Sequence, residues 1–125
     1  MAKLLIVEDS EVNRTLLLRR LEKAGYEILT AGDGKEALAA ARQHQPELIL
    51  MDLEMPVMDG RTAIRALRTD PKTFRIPIIV LTAHASLQDV AGAAEEGCEA
   101  YETKPIVIRR LLERIEEVLR GAATT

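Results

Sequence analysis

Three runs of four apolar residues constrain this chain more than any other feature: Leu4-Leu5-Ile6-Val7, Leu48-Ile49-Leu50-Met51 and Ile78-Ile79-Val80-Leu81. Four consecutive apolar side chains leave a strand no polar face. Each run must therefore be buried on both sides, as in a parallel sheet covered by helices. Each also stops at a polar residue: Glu8-Asp9, Asp52 and Thr82. A carboxylate costs too much inside an apolar sheet, so these residues belong at the carboxyl ends of their strands, where an open α/β sheet has its crevice. Asp52 ends the central run and precedes the turn Leu53-Glu54-Met55-Pro56-Val57-Met58-Asp59-Gly60. It is read as a nucleophile, with the other informative residues placed around it.

Helical spacing fills the intervals between the strands. Ser10 offers an N-cap, followed by Val12, Leu16, Leu17, Leu21 and Ala24, with Gly25 as the stop. A second strand spans Glu27 to Ala31, and the turn Gly32-Asp33-Gly34 opens a helix with Ala37, Leu38 and Ala41 inward, closed at Pro46. After Gly60 a third helix turns Ala63, Ile64 and Leu67 inward and Arg61, Arg65 and Arg68 outward as a solvated face. A polar loop from Asp70 to Pro77 precedes the strand ending at Thr82, and a fourth helix is predicted from about Ser86 to Glu96. Gly97 stops it, Glu99 to Thr103 is a short polar strand, and Lys104-Pro105 breaks the chain. The last helix carries Ile108, Leu111, Leu112, Ile115, Val118 and Leu119 inward, with Glu116 and Arg120 spaced as an ion pair. Gly121 to Thr125 reads as a frayed tail, giving one domain over residues 1–121 and a short tail over 122–125.

Five strands alternating with five helices predict a three-layer, doubly wound (βα)5 sheet. The mixed strands containing Glu27 and Glu102 belong at the edges, which the flavodoxin-like order 2-1-3-4-5 satisfies. A length of 125 residues suits one core. The net charge of −3 argues against a nucleic-acid surface, and 2% aromatic residues remove stacking platforms for single strands. Cys98 is the only cysteine, so an internal disulfide is excluded and a reducing, cytoplasmic setting is expected. The N-terminal apolar stretch is too short for a signal peptide or a membrane span.

In a parallel sheet the residues Glu8, Asp9, Asp52, Thr82 and Lys104 all reach one edge. Carboxylates about 4 Å apart repel by roughly 4 kcal/mol per pair at an effective dielectric near 20, so a cation or a proton must intervene. An open, acidic, all-oxygen site suits Mg2+, with Mn2+ as an alternative. Lys104 adds a positive charge and Thr82 a hydroxyl, which completes the parts phosphoryl transfer needs. No Ser-His-Asp or Cys-His pairing presents itself, and His44 and His84 are not needed as ligands. Cys98 is read as a small buried side chain.

With these residues in place, the chain resembles the receiver domain of bacterial two-component response regulators over about Lys3 to Arg120. The likeness is carried by Glu8-Asp9, Asp52, Met55-Pro56, Asp59-Gly60, Thr82-Ala83, Tyr101 and Lys104-Pro105. It implies that Asp52 accepts a phosphoryl group from phosphohistidine. It further implies that Asp9, Asp52 and the main-chain carbonyl of Glu54 ligate Mg2+, with Glu8 acting through water. Lys104 and Thr82 would contact the phosphoryl group, Lys104-Pro105 would be cis, and Glu54, Ala83 and His84 would line the pocket. Thr82 and Tyr101 would then form a switch, Tyr101 moving inward and altering the face of the fourth helix, fifth strand and fifth helix toward an effector. As an ordinary edge-strand aromatic, Tyr101 would have no such role.

The expected activity is that of a cytoplasmic signalling module, stand-alone or a relay carrier. Its donor would be a histidine kinase or a histidine phosphotransfer protein, and its only catalysis its own Mg-dependent phosphorylation and dephosphorylation. A receiver cut from a hybrid histidine kinase is an alternative, since Glu8-Asp9-Ser10-Glu11-Val12-Asn13-Arg14 resembles that subgroup. A phosphohydrolase working through an aspartyl phosphate is another. Such enzymes of the haloacid-dehalogenase type carry a second Asp two residues on, where this chain has Glu54.

Overall fold

A computed structural model describes residues 2–55, 58–83, 91–92 and 97–123 of the chain. The three apolar runs are the central strands of a five-stranded parallel sheet: β1 (Lys3–Val7), β3 (Leu48–Asp52) and β4 (Ile78–Thr82). The mixed strands β2 (Glu27–Ala31) and β5 (Ala100–Thr103) form the edges, giving the order β2-β1-β3-β4-β5 of a flavodoxin-like fold. The described helices are α1 (Glu11–Lys23), α2 (Gly34–His44), α3 (Gly60–Thr69) and α4 (Ile108–Ala123). The expected helix from Ser86 to Glu96 lies outside the described residues, apart from helical Ala91 and Gly92.

Strand alternation divides the core into two layers, because successive side chains point to opposite faces. Leu5, Val7, Ile49, Met51, Ile78 and Val80 pack beneath α2 and α3, against Ala37, Ala41, Ala63, Ile64 and Leu67. Leu4, Ile6, Leu48, Leu50, Ile79 and Leu81 pack on the other face beneath α1 and α4, against Leu17, Leu21, Leu111 and Ile115. Side-chain caps start three helices: Ser10 accepts from the Asn13 N–H, Asp33 from Glu36 and Asp59 from Thr62. Asp59 and Gly60 thereby return the chain from Asp52 into α3. A Cβ on Gly60 would lie 2.5 Å from the Asp52 carbonyl oxygen, so only glycine lets the loop settle there.

Four expectations from spacing need correction. Val12 and Leu16 are 70% and 56% exposed, whereas Leu17 and Leu21 are buried. At about 100° per residue Val12 lies opposite Leu21, so no single stripe can bury both. Arg68 is not a solvated side chain but lies between α3, the loop before β4 and the residues entering β5. The ion pairs within α4 are Arg109–Glu113 and Arg114–Glu117, not Glu116–Arg120. Finally, α4 continues through Gly121 to Ala123. One helical glycine costs only about 1 kcal/mol, too little to end a helix followed by two alanines.

Candidate functional site at the carboxyl edge of the sheet

The strand order makes the ends of β1, β3 and β4 neighbours. Val7 pairs with Met51, and Asp52 with Leu81. Lys104 follows β5 directly, and its N–H donates to the Thr82 carbonyl at 2.8 Å. The Lys104-Pro105 peptide is cis, as the resemblance implies. Residues from four strands therefore converge although nearly a hundred positions separate the first from the last in sequence.

Asp52 is 2% exposed and Glu8 3%, while Asp9 is exposed at the rim. The three carboxylates each place an oxygen within 4.8 Å of the others. Lys104 Nζ lies 2.9 Å from Asp52 Oδ1 and 3.9 Å from Glu8 Oε1. The Glu54 main-chain N–H also donates to Asp52 Oδ1, at 3.0 Å. Burial, aided by a hydrogen bond to Asp52 and by the Asp52 charge, raises the Glu8 pKa to about 7, against the pull of Lys104 and Asn13. Burial works against the charge on Lys104, yet the Asp52, Glu8 and Glu54 carboxylates together hold its pKa above the ordinary value. Glu8 Oε2 is buried without a protein partner. Crowded carboxylates with an orphaned oxygen are the donor set of a hard divalent cation, which Glu8, Asp9 and Asp52 could hold.

Thr82 is 2% exposed at the end of β4, beside Asp52's neighbour Leu81. The next N–H, that of Ala83, donates to Glu54 Oε1 at 2.7 Å. Tyr101 on β5 is 41% exposed and so sits on the outside of the edge strand. Pro56, Val57 and His84 lie outside the described residues. Cys98 is only partly buried, and burial raises its thiol pKa.

Two residues at the site are not evident from motif spacing. Arg14 donates from Nη1 to the Glu8 carbonyl at 2.9 Å, fixing the turn that presents Glu8 and Asp9. Asn13 lines the same cavity as the Glu8 side chain and opposes its raised pKa. A signal did exist: Asn13 and Arg14 stand four and three residues before buried Leu17, on the side of α1 that meets the sheet.

Comparison with known proteins settles the family. The sequence model of the response regulator receiver domain matches residues 4–116. The chain belongs to the response regulator receiver family. As such it is a signalling domain of two-component systems. Among relatives of this receiver, the polar-differentiation response regulator DivK of Brucella anthropi is 41% identical over 118 residues, covering 94% of this chain and 96% of DivK. The chemotaxis protein CheY4 of Vibrio cholerae superposes with a TM-score of 0.90 at 36% identity, over 94% of this receiver and 98% of CheY4. The receiver domain of the sensor histidine kinase PA1611 of Pseudomonas aeruginosa, solved with a magnesium ion in its active-site cleft, matches with a TM-score of 0.87 at 33% identity, over 94% and 97% of the two chains.

Proposed function

We propose that this receiver accepts a phosphoryl group on Asp52 from the phosphohistidine of a histidine kinase or histidine phosphotransfer protein. The observation that carries the reading is a buried carboxylate at the sheet edge, 2.9 Å from Lys104 Nζ and flanked by two further acids within 4.8 Å. An Asp52 oxygen attacks phosphorus, the P–N bond breaks, and the imidazole departs with its proton. Lys104 holds the phosphoryl oxygens by charge, and the Thr82 hydroxyl donates to one of them. Glu54 N–H and Lys104 fix the orientation of Asp52 before reaction.

The donor set fits Mg2+: Asp9, Asp52 and the Glu54 carbonyl would hold it, with Glu8 through water. The orphaned Glu8 Oε2 and the mutual repulsion of the acids support this. When bound, Mg2+ offsets that repulsion and the charge on the phosphoryl oxygens. A magnesium ion in the active-site cleft of the Pseudomonas relative supports Mg2+ as the ion. The receiver's catalysis is confined to its own phosphorylation and dephosphorylation. A phosphohydrolase of the dehalogenase type would need a general acid two residues past the nucleophile, but the Glu54 carboxylate is engaged by Ala83 N–H.

Phosphorylation adds about −1.5 to −2 charge at Asp52, drawing Thr82 and Lys104 toward it, and Tyr101 turns inward. The surface that β5 and α4 offer to an effector protein then changes, and the expected fourth helix beside them lies outside the described residues. Among the described residues no helix is long and apolar enough to cross a membrane, which together with the lone Cys98 favours a cytoplasmic site of action.

Acid-labile phosphate gives the test. With a phosphorylated histidine donor and Mg2+, the native chain should take up one phosphoryl group, and Asp52→Asn none. Uptake by Asp52→Asn would overturn the assignment.

A further inference from the structure

Glu8 and Asp9 lead into a turn, yet both main-chain groups of Glu8 are held. Its N–H donates to the Ala31 carbonyl at 3.1 Å, and its carbonyl accepts from Arg14 Nη1 at 2.9 Å. The first bond ties the turn to the end of β2, and the second ties it to the first turn of α1. Arg14 is half-buried, and its Nη1 lies 3.4 Å from where a Cβ on Gly32 would stand. The guanidinium therefore rests against the turn after β2, whose Gly32 N–H is held by Glu36 Oε2. A rigid, planar group that bridges two loops fixes direction as well as distance. The turn after β2 meets a stop of its own, since a Cβ on Gly34 would stand 2.7 Å from Met58 Sδ on the loop leaving Asp52. The loops that follow β1, β2 and β3 are thus braced in series, with Arg14 as the tie between the first two.

We infer that Arg14 is a positioning residue for the divalent cation: it sets the height of Glu8 and Asp9 relative to Asp52, so that the three acids converge before the ion arrives. It touches neither the ion nor the phosphoryl group, and it acts through the Glu8 carbonyl rather than through its charge. The two accounts differ in sign. As a point charge Arg14 would repel Mg2+, and deleting it would tighten binding. As a brace it preorganises the ligands, and deleting it loosens binding, on the scale of roughly ten- to a hundredfold seen for groups that orient metal ligands. The inference rests on the metal site proposed above.

Calorimetric titration of the metal-free chain with Mg2+ gives the test, at a pH above the Glu8 pKa of about 7. Arg14→Ala should bind Mg2+ roughly tenfold more weakly than the native chain. Arg14→Lys reaches one carbonyl but cannot lie across the turn, and should fall between. Phosphorylation by acetyl phosphate, followed by mass spectrometry, should show the same shift in the Mg2+ concentration that gives half the maximal rate. The maximal rate itself should stay within about twofold of native, a split that general loosening of the fold would not give. Gly32→Ala crowds the guanidinium from the other side without touching an acid; it should weaken binding about threefold and add little to Arg14→Ala. Unchanged or tighter Mg2+ binding by a folded Arg14→Ala protein would overturn the inference. If Arg14→Ala does not fold, native affinity in both Arg14→Lys and Gly32→Ala overturns it instead. A native chain that binds no Mg2+ would sink the brace and the metal site together, whereas one that binds Mg2+ but carries no phosphate on Asp52 would fail the acceptor assignment alone.

Discussion

Arg68 and Lys104 are both cations set among acceptors, at opposite edges of the sheet, and they are treated differently. At the amino edge, Arg68 donates to the carbonyls of Gly97, Phe74 and Ile76 and to both oxygens of Glu99, whose carboxylate also receives the Ile78 N–H. At the carboxyl edge, Lys104 faces Asp52 and Glu8, and two carboxylate oxygens, on Glu8 and Glu54, are buried without partners. A fully satisfied network rigidifies, whereas a partly satisfied one holds free energy that a ligand can release. The first edge fixes the fold. The second carries the acids and the lysine on which the proposed phosphorylation rests.

The strongest test of this contrast exchanges loss of function for loss of stability. Asp52→Asn should remove all phosphate uptake yet change unfolding free energy by less than about 1 kcal/mol. The deleted charge also repelled Glu8 and Asp9, and Lys104 keeps Glu8 as a partner. Arg68→Ala should do the reverse, costing about 2 kcal/mol in urea unfolding by stripping donors from several acceptors at once. Its phosphorylation rate should stay near native. Arg68→Ala unfolding at the native urea midpoint would break the comparison.

The two edges were not equally legible in the sequence. Apolar runs ending in Asp52 or Thr82 report burial on two faces and a polar strand end, so pattern shows which strands are central and sets Glu8, Asp9, Asp52 and Thr82 on one edge. Alternation alone would leave the order 2-1-3-4-5 undistinguished from a Rossmann half, and Lys104 is read from its place before Pro105. Arg68 could not be read that way. Its acceptors are mainly main-chain carbonyls, which carry no residue identity, and at i, i+3 spacing with Arg65 it looks like any solvated helix arginine. Val12 and Leu16 misled for a related reason: helical spacing shows that a stripe exists, not which side of the helix the sheet will take. The reach of Glu54 to Ala83 depends on how two loops meet, and no local spacing encodes that.

A smaller effect sharpens the contrast through pH. Burial holds the Glu8 carboxyl at about 7, above the ordinary 4.5, so the folded metal-free chain keeps a proton that the unfolded chain gives up. The associated stability is complete below the unfolded pKa and is lost as pH rises through the folded one. The Tm of the metal-free protein should therefore fall as pH rises from 4.5 to about 7, and Mg2+ affinity should rise as pH passes through about 7 and Glu8 ionises. Burial shifts Glu99 in the same direction, although Arg68 and the Ile78 N–H oppose it. Glu8→Gln separates the two, since it should flatten the slope belonging to the carboxyl edge and leave only that of Glu99. A slope unchanged in Glu8→Gln would move the effect to the amino edge.

The smallest effect concerns two glycines, one at each edge. Gly60 is held against main chain, with the Asp52 carbonyl oxygen 2.5 Å and Leu53 Cα 2.7 Å from where a Cβ would stand. That edge has no slack, because the loop it closes positions Asp52. Gly121 lies in the last turn of α4, toward the amino edge, with nothing within 4 Å of its would-be Cβ. Gly121→Ala should therefore raise stability by about 0.5 kcal/mol, below the full helix-interior value because the helix end frays. The gain comes from restricting the unfolded chain, so it requires no new contact and should leave phosphorylation untouched. A loss of stability in Gly121→Ala, measured by urea unfolding, would mean that the end of α4 is under a constraint like that at Gly60, and the division between a fixed edge and a poised one would have to be redrawn.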